Sequence, residues 1–301
     1  MALTHDDLWP RAGDWPTATA GERADAAILG VPTWRTSLSP TGAHSTPAAI
    51  REALSRYSAT LMGPPVVDLD DALRIVDAGD ITEPDGDAGI ASTVDRVQEL
   101  SATADLVIAL GGDNSLTYPV ARGARTNGLI TIDAHLDLRD GISNGSPVRR
   151  LVEDAPESER IDPARIVQIG IADYANSPAY ARRAADWGIR VITLDELRRR
   201  GIADVASEAH EIAGVDAEAR IHLDVDVDAA DRSVVPGCPA SVPGGLAAYE
   251  LRALVRALAG DARVVSADIA EVDATADSAD GRTVRLAALC VLELLAGLAA
   301  R

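Results

Sequence analysis

Residues 128–137 read Gly-Leu-Ile-Thr-Ile-Asp-Ala-His-Leu-Asp. The first half of this stretch has the apolar character of a buried β-strand, and Asp133, His135 and Asp137 follow at alternate positions. Alternate residues of an extended strand share one face, so these side chains are expected to converge at its carboxyl end, where open α/β sheets bind ligands. Two carboxylates and an imidazole suit Mn²⁺ or another divalent first-row metal. The alternative interpretation is that they are ordinary polar residues leaving a strand.

A second stretch, residues 221–228, reads Ile-His-Leu-Asp-Val-Asp-Val-Asp. Asp224, Asp226 and Asp228 would share one face of a strand, where unpaired carboxylates repel one another unless a cation lies among them. A solvated edge strand would tolerate the same pattern, but the intervening Val and Leu residues indicate a buried strand.

Two more apolar runs end in polar groups. Residues 106–110 lead into Gly-Gly-Asp-Asn114-Ser, where the glycines permit a tight turn and close backbone approach. The third spaced glycine of a dinucleotide-binding loop is missing. Residues 264–271 form a further predicted strand, with Asp268 and Glu271 at its end. Together, the four strand ends predict one metal centre.

Apolar segments alternate with helical patterns along the whole chain, which predicts a three-layer αβα sandwich with a mostly parallel central sheet. We find no linker that would divide the chain, so residues 1–301 are predicted to form a single α/β domain. Residues 1–23 are polar, contain Pro10 and Pro16, and are predicted to form a flexible N-terminal arm. Thr46 before Pro47 predicts a helix N-cap.

The composition excludes several classes of partner. A net charge of −19 argues against nucleic acid and anionic membranes, both of which require a basic surface. Two cysteines give no disulfide framework and favour a reducing compartment. The N-terminus lacks an apolar signal segment, and the C-terminal apolar run is interrupted by Glu293. We therefore expect a soluble cytoplasmic protein.

The motifs resemble the three signatures of the ureohydrolases, the family of arginase, agmatinase and formimidoylglutamase. They occur in order, and the similarity extends from about Ile28 to the C-terminus. Counting back from Pro236-Gly237 places the family's two aspartate ligands at Asp226 and Asp228, and Asp224 where the family usually has Ser or Thr. The resemblance implies an arginase-like fold. The motifs are Gly-Gly-Asp-Asn-Ser at 111–115, Asp-Ala-His-Leu-Asp at 133–137 and Asp-Val-Asp at 226–228 before Pro-Gly.

Within the family, the chain is most similar to the formimidoylglutamase branch. Residues 143–149 read Ser-Asn-Gly-Ser-Pro-Val-Arg where arginases and agmatinases have His-Gly-x-Pro, and residues 36–40 and 236–245 also resemble that branch. The sequence departs from the common pattern at two positions. Asn114 replaces a histidine ligand, and Asn144 replaces the proton-shuttling histidine of arginases.

The resemblance implies two Mn²⁺ ions and assigns residues to them. Asn114 is a neutral, poorer donor than imidazole, so its metal position is expected to be weakly or partly occupied. One ion would be held by Asn114, Asp133, Asp137 and Asp226, and the other by Asp133, His135, Asp226 and Asp228.

Substrate contacts follow from the chemistry of an amidine that carries carboxylates. Glu271 is expected to bind the amidinium and Asp137 to pass a proton to the departing amine. Asn144 is expected to hydrogen bond to the substrate. The roles of Asp224 and of the loop residue His44 are left open. Candidate cations for the substrate carboxylates are Arg35, Arg139 and Arg149.

We expect a metal-dependent hydrolase that converts N-formimino-L-glutamate and water to L-glutamate and formamide, a step of histidine degradation. One alternative is an agmatinase or guanidino-acid ureohydrolase that releases urea. A second alternative is a weakly metallated, non-catalytic protein of the same fold. The family's trimers and hexamers imply a homo-oligomer.

Overall fold

The computed structural model of this 301-residue chain describes residues 6–301. Its centre is an eight-stranded sheet in the order β4-β1-β5-β10-β9-β6-β7-β8, in which every neighbouring pair is parallel. The short strands β2 and β3 pair separately and antiparallel. The strands are β1 Ala24–Val31, β2 Thr60–Leu61, β3 Val67–Asp68, β4 Ile75–Asp80, β5 Ala104–Gly111, β6 Gly128–Ile132, β7 Ile166–Ile171, β8 Arg190–Thr193, β9 Ile221–Asp226 and β10 Val264–Ala270.

Helices cover both faces of the sheet. On one face α1 and α7–α10 share a core with the strands, and on the other α3–α6 do so. The predicted three-layer αβα sandwich is thereby confirmed. The helices are α1 Thr46–Leu54, α2 Leu69–Ala72, α3 Gly86–Ser101, α4 Thr117–Gly123, α5 Pro147–Glu153, α6 Pro178–Trp187, α7 Leu194–Arg200, α8 Ile202–Ala213, α9 Ala248–Ala259 and α10 Arg282–Leu298.

Strand β1 shows why these segments form a buried parallel sheet. Its alternate residues Ala26 and Ile28 pack in one core, while Ala27 and Leu29 pack in the core on the opposite face. A strand covered on both sides is expected to be apolar at nearly every position, and in β1 the one exception is Asp25 near its start. The parallel strands β5, β10, β9 and β6 are neighbours, so their carboxyl ends lie together at one edge.

Three local predictions differ from the structure. Strand β6 ends at Ile132, so the stretch from Asp133 to Asp137 lies beyond the strand, and Asp228 lies in a 3₁₀ turn after β9. Thr46 is the first residue of α1 and not its N-cap, because its hydroxyl donates to the carbonyl of Val272.

The predicted N-terminal arm lies partly outside the described residues, which begin at residue 6. Its later part contacts the rest of the protein. The backbone amide of Ala12 donates to the carbonyl of Tyr57 at 2.9 Å, and Thr17 forms a parallel bridge with Asp77. Within residues 6–301, no helix is long and apolar enough to cross a membrane.

Candidate metal centre

Residues at the carboxyl ends of β6, β9 and β10 border a cleft of about 280 Å³. The structure brings together side chains that follow four separate strands, as the sequence predicted. Contacts between Asn114 and both Asp137 and Glu271 join residues that are 23 and 157 positions apart. The predicted site residues that line this cleft are His135, Asp137, Arg139, Asn144, Asp226, Asp228 and Glu271.

Asp133, His135 and Asp228 form the tightest group of potential metal ligands. The Nδ1 atom of His135 is 2.7 Å from Oδ2 of Asp228 and 3.6 Å from Oδ1 of Asp133. One ligand atom from each residue lies within 4.8 Å of the others. The second oxygen of Asp133, Oδ2, is buried and accepts no hydrogen bond from any group in residues 6–301. A buried carboxylate oxygen without a donor fits a cation, and this donor set suits a divalent metal.

Short side chain–backbone hydrogen bonds hold the chain where it leaves β6 and β9. Oδ1 of Asp133 accepts from the amide of His135 at 2.6 Å, and Oδ1 of Asp226 accepts from the amide of Asp228 at 2.8 Å. Aspartate favours such turns because its carboxylate reaches the amide two residues on. Each turn therefore brings the potential metal ligands of its segment to the same edge of the sheet.

Asn114 lies between Asp137 and the first turn of α4. Its Nδ2 donates to Oδ2 of Asp137 at 2.8 Å, and its Oδ1 accepts from the hydroxyl of Thr117 at 2.8 Å. The amide oxygen, the atom that can bind a metal, therefore faces Thr117. Rotating the amide by 180° would turn that oxygen towards Asp137, and the Thr117 hydroxyl could then accept from Nδ2.

Glu271 is buried and held by the two asparagines that distinguish this sequence. Its Oε1 accepts from the backbone amide of Asn114 at 2.8 Å and from Nδ2 of Asn144 at 2.8 Å. Oδ1 of Asn144 accepts from the amide of Leu38 at 3.0 Å, which ties the loop after β1 to the same carboxylate. Glu271 has a φ of 62° and Asp137 a φ of 49°, left-handed conformations that are unusual outside glycine and cluster at functional sites.

The pKa values show how strongly these acids interact. Burial, followed by the charge of Asp228, raises the pKa of Asp133 and of Asp226 well above the ordinary range. Burial also raises the pKa of Asp137 to about 7, although the charge of His135 opposes this shift. Burial and the charge of Asp113 raise the pKa of Glu271 to about 8.

The pKa values of His135 and Asp228 are shifted in the directions expected of an ion pair. Burial acts to lower the pKa of His135, but the charge and hydrogen bond of Asp228 raise it to about 9. Burial acts to raise the pKa of Asp228, but His135 and the backbone amide of Ala134 bring it below the ordinary value. A cation among the carboxylates would stabilise their charged forms and replace the proton on His135.

The structure corrects two of the three predicted substrate-binding arginines. Arg149 does not line the cleft, because its guanidinium binds both carboxylate oxygens of Asp154 at 2.8–2.9 Å and the carbonyls of Arg139 and Gly141 at 2.8 and 2.7 Å. It holds the loop before α5. Arg35 pairs with Glu83 on the surface outside the cleft.

Arg139 does line the cleft, and its guanidinium is exposed. Within the described part of the chain, no hydrogen bond or ion pair engages this guanidinium. His44, whose role was left open, packs its ring 5.2 Å from that of Trp34 and is absent from the cleft lining.

Asn176 lines the cleft, but the sequence analysis did not predict it as a site residue. Its Oδ1 accepts from the amide of Leu136 at 2.9 Å, and its Nδ2 donates to the carbonyl of Ala134 at 2.9 Å. It therefore holds the segment that contains His135. A single asparagine before a Ser-Pro helix start gave no signal of this role.

The fold and this set of acids define a metal-dependent hydrolase. Residues 24–297 match the model of the arginase family. The chain is 34% identical over 292 residues to formimidoylglutamase from Bacillus subtilis strain 168. The alignment covers 90% of this chain and 86% of that protein. The chain is 28% identical to mitochondrial agmatinase from Gallus gallus, over 93% of this chain and 83% of that protein.

Solved structures agree. The crystal structure of Bacillus subtilis formimidoylglutamase has a TM-score of 0.88 at 30% identity and covers 99% of this chain and 94% of its own. Trypanosoma cruzi formiminoglutamase with Mn²⁺ has a TM-score of 0.84 at 26% identity, over 97% and 99% of the two chains. The chain belongs to the arginase family. The prediction of a hydrolase that acts on an amidine C–N bond is confirmed.

Proposed function

We propose that this enzyme hydrolyses N-formimino-L-glutamate to L-glutamate and formamide, as the sequence predicted. The observation that supports this substrate best is the charge arrangement of the cleft. The Glu271 side chain is buried, and Arg139, whose guanidinium has no hydrogen-bond or ion-pair partner among residues 6–301, lines the same cleft. A substrate with an amidinium at one end and carboxylates at the other matches this arrangement, whereas agmatine has no carboxylate for Arg139 to bind.

The metal-binding residues would be those assigned from the resemblance. Asp133, Asp226 and Asp228 with His135 fit a divalent cation, because the acids are buried together and no donor in residues 6–301 reaches Asp133 Oδ2. Asn114 and Asp137 would complete a second position, with Asn114 binding through its amide oxygen. When bound, two Mn²⁺ ions would supply a water of strongly lowered pKa as the nucleophile.

The protein's own groups orient and protonate the substrate. Both hydrogen bonds to Glu271 fall on Oε1, and among residues 6–301 none reaches Oε2, which is left to accept from the amidinium. Asp137 lines the cleft, where its carboxylate can accept a proton and pass it to the departing amine.

Asn144 orients Glu271 and the loop after β1. It cannot titrate, so it cannot replace a proton-shuttling histidine. It lines the cleft beside Glu271, where it can also hydrogen bond to the substrate's polar groups. This contact extends the substrate-binding role that was predicted for Asn144.

The test is an assay of Mn²⁺-reconstituted protein against N-formimino-L-glutamate, agmatine, arginine and guanidinobutyrate, with glutamate, formamide and urea measured. Glutamate and formamide from the first substrate alone would support the proposal. Urea from agmatine or arginine would overturn it. Protein that binds Mn²⁺ yet leaves all four substrates intact would also contradict it.

A guanidino acid is the second candidate substrate. Arg139 would bind its carboxylate and Glu271 its guanidinium by the same contacts, so the charge arrangement favours both acids over agmatine. The product separates them, since a guanidino acid releases urea. Guanidinobutyrate in the assay serves this purpose.

We further propose that the chain acts as a single catalytic domain in a cytoplasmic homo-oligomer. One sheet contains strands from residue 24 to residue 270, which supports a single domain. Both cysteines, Cys238 and Cys290, are free and buried, which suits a reducing compartment. Light scattering on the purified protein would test the trimer or hexamer implied by the family.

A further inference from the structure

Asp224 is an acid whose role the proposed chemistry does not explain. It lies on β9 two residues before Asp226, so the two side chains point to the same face of the sheet. It is fully buried, and among residues 6–301 neither of its carboxylate oxygens has a hydrogen-bond partner in normal geometry, although the side chains of Asp268 and Asn114 lie near it. A buried carboxylate must be protonated or paired with a positive charge, and a metal ion would supply that charge here.

The neighbouring strands place more unpartnered oxygens at the same level. Asp268 on β10 and Thr131 on β6 pair directly with Asp224, and Gln168 on β7 pairs with Thr131. All of them are fully buried. In the described part of the chain, Oδ1 of Asp268, Oγ1 of Thr131 and Oε1 of Gln168 also have no hydrogen-bond partner. We call Asp268, Asp224, Thr131 and Gln168 the buried polar row.

Asp224 and Thr131 each lie two residues before a predicted metal ligand, Asp226 and Asp133 respectively, and of these two only Asp224 has a carboxylate. The polar groups that act on it include Asp268, Asp137 and the side chain of Asn114. The remaining oxygen of Asp268 is already satisfied, because it lies 2.9 Å from Nε2 of His222. Asp224 therefore borders the part of the centre where the resemblance places Asn114 in place of histidine.

We propose that Asp224 is an additional carboxylate ligand on the Asn114 side of the metal centre. It supplies the strong donor that Asn114 lacks, and its carboxylate joins those of Asp226 at the end of β9 and Asp228 in the turn that follows. Carboxylates suit Mn²⁺, which accepts oxygen ligands. This inference rests on the proposed dimetal function and adds to it a residue outside the family's usual ligand set.

The test compares Mn²⁺ binding by wild-type protein and by Asp224→Ser, using calorimetry and metal analysis after dialysis. We expect Asp224→Ser to weaken the second Mn²⁺ by at least about tenfold, so that the protein retains one ion after dialysis. Thr131→Val is the matched control, because it removes an unpartnered hydroxyl from the same row at constant shape. It should bind Mn²⁺ like the wild type.

Folding is checked on the same samples by the Tm of the metal-free proteins. Asp224→Ser removes a buried charge, so its metal-free Tm should equal or exceed that of the wild type. Should this variant nevertheless unfold, Asp224→Asn keeps the shape of the side chain while weakening its donor strength, and the same loss of the second ion is expected.

A double variant tests the substitution itself. If Asp224 replaces an imidazole donor, Asp224→Ser should weaken Mn²⁺ binding much less in an Asn114→His background, and the two effects will not add. Unchanged Mn²⁺ binding in Asp224→Ser, beside a wild type that binds two ions, would overturn this inference alone. A wild-type protein that binds no Mn²⁺ would overturn the proposed function with it.

Discussion

Asn114 is the weakest of the proposed metal ligands, and its replacement is the most direct test of the centre. Its amide oxygen faces Thr117, so binding a metal requires the amide to rotate. Asn114→His should tighten Mn²⁺ binding by roughly tenfold or more, because imidazole is the better donor and needs no such rotation. Calorimetric titration of both proteins measures this. Equal Mn²⁺ affinities would count against Asn114 as a ligand.

Glu271 should determine substrate affinity and reactivity without holding the metals. Glu271→Gln keeps the size of the side chain but removes the charge that faces the amidinium. We expect kcat/KM to fall by roughly 30- to 1,000-fold, or about 2–4 kcal/mol, while Mn²⁺ binding is retained. Steady-state kinetics with the preferred substrate measures the loss.

Glu83→Gln is the control for this change, since Glu83 pairs with Arg35 outside the cleft. It should leave kcat/KM within about twofold of the wild type, as expected for an exposed ion pair. If Glu271→Gln behaved like this control, Glu271 would have no place in amidinium binding.

Individual residues differed in how far the sequence could predict them. Asp133 and Asp226 follow buried strands, and the geometry of parallel strands brings such positions together. Arg149 and Arg35 could not be placed in the same way. An arginine reaches several angstroms in any direction, and the path of the loop decides whether it meets Asp154 or the cleft.

At the scale of elements, the strands were easier to predict than the turns that follow them. Segments such as 24–31 are apolar at almost every position, a pattern typical of a buried parallel strand. The prediction that β6 continues through Asp137 was wrong. The alternation of Asp133 and His135 is compatible with both a strand and a turn. The hydrogen bond from the His135 amide to the Asp133 carboxylate stabilises the turn.

The turn after β5 depends on Gly112. A Cβ at this position would lie 2.0 Å from the carbonyl oxygen of Thr33, and the Gly112 carbonyl also accepts from the amide of Glu271 at 2.9 Å. Gly112→Ala should therefore push the neighbouring chain segments apart and destabilise the protein by about 1–3 kcal/mol or more. That corresponds to a Tm lower by at least roughly 2–4 °C, and Mn²⁺ affinity should fall with it.

Gly260→Ala provides the comparison, because its nearest contact would be 3.4 Å away and its backbone is right-handed helical. Its Tm should stay close to that of the wild type or rise slightly. Thermal unfolding and Mn²⁺ titration of both variants test the argument. Equal Tm values for the two variants would show that the turn accommodates a Cβ at Gly112 without loss of stability.

At the scale of the whole molecule, the chain has a net charge of −19, and several of its acidic side chains form a buried cluster in the metal-free protein. Burial raises the pKa of Asp137 to about 7 and that of Glu271 to about 8, so the folded chain holds protons that the unfolded chain releases at lower pH. The contribution of these groups to stability is therefore lost as pH rises to about 8. His135, whose pKa is raised to about 9, acts in the same direction.

Mn²⁺ should reverse this loss, because its ligands bind in their deprotonated forms and the cation compensates their charge. We therefore expect the increase in Tm on adding Mn²⁺ to EDTA-treated protein to be larger at about pH 8 than at about pH 6. Thermal unfolding with and without the metal measures this increment at each pH. Taking the difference at one pH removes most of the general repulsion of an acidic chain, which acts on both samples. An increment that stayed constant or shrank with rising pH would show that these buried acids do not hold the metal.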